Sequence, residues 1–181
     1  MPAHGTRYVA FLRAINVGGR IVKMDRLRAL FADMGLANVE SFIASGNILF
    51  DSTARATAPL EGKIEKHLES QLGYAVDTFV RPLAALESIL ARAPSVEGER
   101  PLHALYIGFM RATPSTEAIT KLMSLATPDM RFAVHGSEIY WQSYISMADS
   151  PLTGASFEKI FGAPVTFRNA NTVRKLELKS G

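Results

Sequence analysis

A seven-residue word occurs twice in this chain and constrains its fold more than any other feature. "YVAFLRA" at Tyr8 to Ala14 returns as "YIGFMRA" at Tyr106 to Ala112, with Tyr, Phe, Arg and Ala identical and the rest conservatively exchanged. Self-similarity of this kind marks a repeated structural unit and so bears on the whole fold. The segments that follow run parallel too. After the first word, "MDRLRALFADMG" places Leu27, Leu30, Phe31 and Met34 at helical spacing; after the second, "PSTEAITKLMSLA" does the same with Ile119, Leu122, Met123 and Ala126. Thr113 and Pro114 suit an N-cap and first helical position, and Gly35 suits a helix stop.

Two hairpin signals come next. Gly46 and Asn47 divide the β-rich runs of "SFIASGNILFDS", and Gly136 and Ser137 divide those of "RFAVHGSEIYWQS". Amphipathic stretches ending at Gly73 and Gly162 then lead into short strands holding Thr78 and Phe79 in one half and Thr166 and Phe167 in the other. "LAALESILARA" and "NTVRKLELK" each add a closing helix. Every half therefore reads strand, helix, strand, strand, helix, strand and an extra helix. The expected fold class is α+β, with duplicated ferredoxin-like (βαββαβ) halves, antiparallel sheets and an extra helix after each half.

Composition agrees with such a chain. With 181 residues, 48% of them hydrophobic, the protein can bury roughly 70% of the surface its unfolded form exposes and needs neither metal nor disulfide to fold. The expected organisation is an N-terminal half over residues 1–92, a linker over 93–101 rich in Pro, Gly and charge, and a C-terminal half over 102–181. Cysteine is absent, which removes thiol nucleophiles and zinc bound by sulfur and makes the cytoplasm the expected location. No apolar run approaches the roughly 20 residues that span a bilayer, so no membrane association is expected. Net charge is +3 and the pI near 9.3, with the positive side chains dispersed. A nucleic-acid footprint would mass them in a stripe, so that class of partner is not favoured.

Strands that are apolar at nearly every position, "YVAFL" and "LYIGFM", imply sheets covered on both faces. RNA-reading sheets of this topology need one open face with exposed aromatics, so Tyr140, Trp141 and Tyr144 are read as packing residues.

The polar loops carry the functional signal. Gly18 and Gly19 follow a strand, but neither nucleotide-binding glycine pattern is present. Their flexible loop serves either the crossover into the first helix or a ligand, with Arg13, Asn16 and Lys23 around it. Ser45 and Asn47 sit at the first hairpin. Arg168, Asn169, Asn171 and Thr172 form the string "RNANT", where the amides either cap the last helix or touch a ligand. If these loops converge, amides and guanidinium groups suit a small polar or anionic ligand. Ser156 and Lys159 spell S-x-x-K, but the partner motifs of serine β-lactamases stand in the wrong order in a chain too short for that fold. His4, His67, His103 and His135 lack metal-ligand spacing, so no metal and no cofactor is expected.

"YVAFLRAINVGGR", "VKMDRLRALFADMG", "VESFIASGNILF" and "TFRNANTVRKL" together resemble the bacterial family catalogued as domain of unknown function 1697, over nearly the whole chain. The resemblance implies two ferredoxin-like halves and brings no established activity, substrate, cofactor or catalytic residue. The family pattern commonly has Gly where this chain has Ala14, and Trp where it has Ala170. The leading expectation is a non-enzymatic ligand-binding or accessory module. The alternatives are a small enzyme that positions an anionic substrate with Arg13, Arg168 and Asn169, and a nucleic-acid binder using Arg20, Lys23, Arg174, Lys175 and Lys179. No residue pattern specifies an oligomeric state.

Overall fold

The computed structural model describes residues 5–16, 18–43 and 46–180. The first sheet consists of β1 (Thr6–Leu12), β2 (Ala37–Ser41), β3 (Asn47–Ser52) and β4 (Thr78–Pro82), and α1 (Met24–Asp33) and α2 (Thr57–Leu72) interrupt it in sequence. A short α3 (Ala85–Ala91) follows. The second half repeats the order with β5 (Ala104–Phe109), α4 (Thr116–Ser124), β6 (Met130–His135), β7 (Glu138–Ser143), α5 (Gly154–Phe161), β8 (Thr166–Asn169) and α6 (Ala170–Glu177). Strand order is β2-β3-β1-β4 in one sheet and β6-β7-β5-β8 in the other, all pairs antiparallel. Both sheets thus have the split βαβ topology that the repeat implied.

Two compact units divide the chain: residues 1–86 with 176–181, and Glu87–Lys175. Both divisions fall inside helices, α3 and α6. Residues 93–101, read from composition as a linker, carry no regular element, and the carbonyls of Pro94 and Ser95 are held by Gln142 at 3.1 Å each.

In the first unit, Tyr8, Ala10 and Leu12 of β1 share a face with Ile48, Phe50 and Val80, and Leu27, Phe31, Ile64 and Leu68 of α1 and α2 close over them. Val9, Phe11, Leu49 and Phe79 point to the opposite face, and each is 0% exposed. Both faces are therefore covered, as the unbroken apolar run required. The second unit packs Met110, Leu122, Ile139, Trp141 and Phe157 between its sheet and helices α4 and α5. Trp141 has Tyr106, Phe157 and Phe167 at centroid distances of 5.2, 5.3 and 5.8 Å, so it is a packing residue.

The halves differ in one structural detail. In the first, Phe79 pairs with Phe11 and Thr78 with Leu12. In the second, Phe167 pairs with Gly108, and Thr166 with Phe109. The two Thr-Phe words are therefore offset by one residue relative to their central strands. Since side chains alternate along a strand, Phe79 is turned away from the helices and Phe167 toward them.

Local signals fared unevenly. Gly73 and Gly162 close their helices in left-handed conformation, at φ 80° and 64°. The N-cap of α4 is Ser115, whose side chain accepts from Ala118 N, and not Thr113, because only Ser115 lies three residues before an unpaired helical amide. Gly136 and Ser137 make a two-residue turn between β6 and β7, whereas β2 and β3 are joined by residues 42–46 and Asn47 already belongs to β3.

Candidate functional site

In the first unit the loop after β1 and the hairpin after β2 adjoin. Leu12 N donates to Gly46 O at 2.8 Å, and a Cβ on Gly46 would stand 3.0 Å from Ile15 Cγ2. Their backbones are unusually left-handed: Ala14 and Ile43 both sit at φ 54°, Gly18 at 62° and Gly19 at 80°. Such a conformation suits glycine and costs alanine or a β-branched residue of order 1–3 kcal/mol, which gives a physical reason for glycine in place of Ala14.

The polar side chains expected to reach a ligand here are largely engaged. Arg13 pairs with Asp77 at 3.2 Å, while its backbone N–H donates to Asp77 O at 2.9 Å. Asn16 Oδ1 accepts from Val22 N at 2.8 Å and so closes its own loop. Asn47 is fully buried, and its side-chain amide donates to Phe42 O at 3.0 Å, holding the hairpin end. Gly18, Gly19 and Lys23 are exposed. Ser45 lies outside the described residues. A cavity of about 390 Å3 elsewhere in this unit is lined by Met34, Ser52, Thr53, Leu60 and Lys63. Its carboxylate, Asp51, is occupied by Arg7 at 3.1 Å and Asn38 at 2.6 Å.

The remaining string belongs to the second unit. Arg168 is 9% exposed and donates to Thr166 Oγ1 at 2.8 Å and Phe167 O at 3.0 Å. Burial alone pulls its guanidinium below its ordinary value, to about 10. Asn169 stands immediately before α6, and its Oδ1 accepts from Asn171 N at 2.9 Å. That is the cap the sequence offered as one of two readings. Thr172 is half-buried in the first turn.

Capping does not exhaust these residues, since Asn169 and Asn171 also line a pocket of about 470 Å3 with Arg174, His103, Gln142 and Ser95. Leu90, Val96, Leu102 and Leu105 complete its apolar wall. Among the described lining residues there is no Asp or Glu. Arg174 donates to Asn171 Oδ1 at 2.7 Å and has no carboxylate partner among the described residues, so most of its five donors remain uncommitted. Among the described residues, no group of three or more His, Asp or Glu gathers to hold a metal ion. No described helix is long and apolar enough to cross a membrane.

Tyr140 and Gln142, on the same face of β7, fasten the segment beside the pocket. Tyr140 Oη donates to Ile89 O at 2.6 Å. Its phenol is pushed up from 10.0 to about 12, mainly by burial and further by Glu138, with Arg92 acting the other way. The folded phenol therefore holds its proton more tightly than the unfolded one. Its stabilising contribution is complete below pH 10 and is lost as the pH rises toward about 12. Tyr140→Phe is expected to cost ~1–2 kcal/mol at neutral pH, by leaving the Ile89 carbonyl unpaired, and to flatten the alkaline decline. Urea titrations of both proteins between neutral and alkaline pH check this; parallel declines would refute it.

Two βαββαβ units with antiparallel four-stranded sheets, one bearing a polar pocket, define an α+β protein of two similar ferredoxin-like halves. The chain belongs to the family described as "Protein of unknown function (DUF1697)", whose model matches residues 6–140. Among solved structures it is similar to the conserved bacterial protein SP0830 from Streptococcus pneumoniae. The identity is 29% and the TM-score 0.74, over 96% of this chain and 97% of that one. No curated protein matches.

Proposed function

We propose that this protein is a cytoplasmic, non-enzymatic module that binds a small anionic ligand in the pocket of its second unit. One observation carries the reading: a pocket of about 470 Å3 whose charged lining consists of a guanidinium with no carboxylate partner among the described residues. An arginine fork matches carboxylate and phosphate oxygens in pairs, and its weak hydration makes it the cation suited to a partly enclosed site. The amides of Asn169 and Asn171 add polar contacts, and the apolar wall supplies area for the rest of a small molecule.

Calorimetric titration with a panel of small carboxylates and phosphate esters tests the reading. At least one anion is expected to bind, and at a concentration of 100 Kd to stabilise the fold by about 2.7 kcal/mol. Arg174→Ala, an exposed position, is expected to leave the melting temperature of the free protein unchanged and weaken that anion about tenfold or more. Undiminished affinity in this variant, or a panel without any binder, would overturn the proposal.

A further inference from the structure

The same pocket holds a buried polar group that the anion reading leaves unused. Gln142 is 3% exposed and lies on β7, an interior strand paired with Leu105 of β5 on one side and Arg131 of β6 on the other, so its position is rigidly set. Its Nε2 donates to the carbonyls of both Pro94 and Ser95, at 3.1 Å each. Two carbonyl partners fix which end of the amide is nitrogen, and both hydrogens are thereby committed. Oε1 remains, with no donor among the described residues. The atom is not sealed from solvent, and the accessible space beside it is the pocket this residue lines. A buried acceptor of this kind loses free energy unless a donor reaches it.

Asn169 is the complement. Its Oδ1 is used by Asn171 N, and its Nδ2 has no acceptor among the described residues. One lining amide thus offers only an acceptor and the other only donors, which are the two halves of what a peptide group requires. Arg174 calls for an acid, and Leu90, Val96, Leu102 and Leu105 for an apolar side group.

We infer that the occupant is an N-acylated α-amino acid with an apolar side chain, either free or as the carboxyl-terminal residue of a peptide. Its carboxylate meets Arg174, its N–H meets Gln142 Oε1, and its acyl carbonyl meets Asn169 Nδ2. The inference rests on the anion site proposed above and adds the demand for an N–H.

Three probes test it by calorimetry on the unaltered protein: N-acetyl-leucine, its ester isostere with oxygen in place of N–H, and the peptide acetyl-Ala-Ala-Leu. A site built to hydrogen-bond an N–H rejects the analogue lacking it. N-acetyl-leucine is expected to bind about tenfold or more tighter than the ester, and Gln142→Met to abolish that preference. Equal binding of amide and ester would overturn this inference and leave the anion site standing. Failure of all three probes, alongside a binder in the anion panel, would also overturn the inference alone. The wild-type comparison decides even if Gln142→Met does not fold. Peptide binding tighter than N-acetyl-leucine assigns a chain end, and the reverse order assigns the free acid.

Discussion

Trp141→Ala is expected to destabilise the protein by about 4 kcal/mol, the largest loss available from one core substitution in the second unit. Trp141 is 1% exposed and touches four aromatic rings, those of Tyr106, Phe157 and Phe167 together with Phe132 at 6.2 Å. Truncation to a methyl removes the transfer free energy of the indole and leaves a void that four rigid rings cannot collapse to fill. Against a total stability of about 5–15 kcal/mol, such a loss brings the unit close to unfolding. Trp141→Phe should be far milder, about 1 kcal/mol, for a specific reason. The indole Nε1 is buried without an acceptor among the described residues, so deleting that N–H returns part of what the smaller ring forfeits. Urea denaturation followed by far-ultraviolet circular dichroism separates the two. A cost below about 1 kcal/mol for alanine would show that the aromatic cluster is not the core of this unit.

Gly108→Ala is the second substitution with a large expected effect, and it adds only a methyl. A Cβ at this position would stand 2.6 Å from Phe167 Cε1, closer than real Cβ atoms come, and 3.0 Å from Cζ, a tight contact. Movement of the Phe167 ring is restricted by its neighbours, with ring centroids of Phe157 at 4.6 Å and Trp141 at 5.8 Å. Overpacking of this kind costs about 2 kcal/mol, a fall in melting temperature of roughly 4–8 °C for a chain of this size. Adding Phe167→Leu to Gly108→Ala is expected to recover part of the loss, since a shorter side chain vacates the contested volume. An unchanged melting temperature in the single variant would refute the argument.

The same pair of residues shows how far sequence reasoning reached. The words at Tyr8 and Tyr106 matched because the central strands are buried on both faces over Tyr8 to Leu12 and over Ile107 to Phe109, and such a strand has few acceptable spellings. The exchange of Ala10 for Gly108 looked conservative, yet it records the single-residue offset of β8, which swings Phe167 over the position. Nothing in "PVTFRN" announces that offset. Register is a property of two strands, and a four-residue strand carries too little pattern to declare it.

The candidate site was legible to a similar depth. Asn169 and Asn171 stood out because amides before a helix are either caps or ligand contacts, and here Asn169 caps with one atom and lines the pocket besides. Arg13 looked available because its partner, Asp77, lies 64 positions away in the chain, beyond the reach of any local rule. Gln142 went unnoticed among the aromatics of "EIYWQS". Its signal was present: a glutamine within a strand buried at every position has to find partners for both ends of its amide, so an end left without one points to whatever fills the space beside it.

The division of the chain into 1–86 with 176–181, and 87–175, has a consequence for synthesis. Leu176, fully buried, and Lys179, which pairs with Glu40 at 3.5 Å and lies 5.2 Å above the Phe42 ring, belong to the unit that begins the polypeptide. During synthesis the whole of the later unit is therefore made before the earlier one receives residues 176–181, so the earlier unit reaches its full set of contacts last.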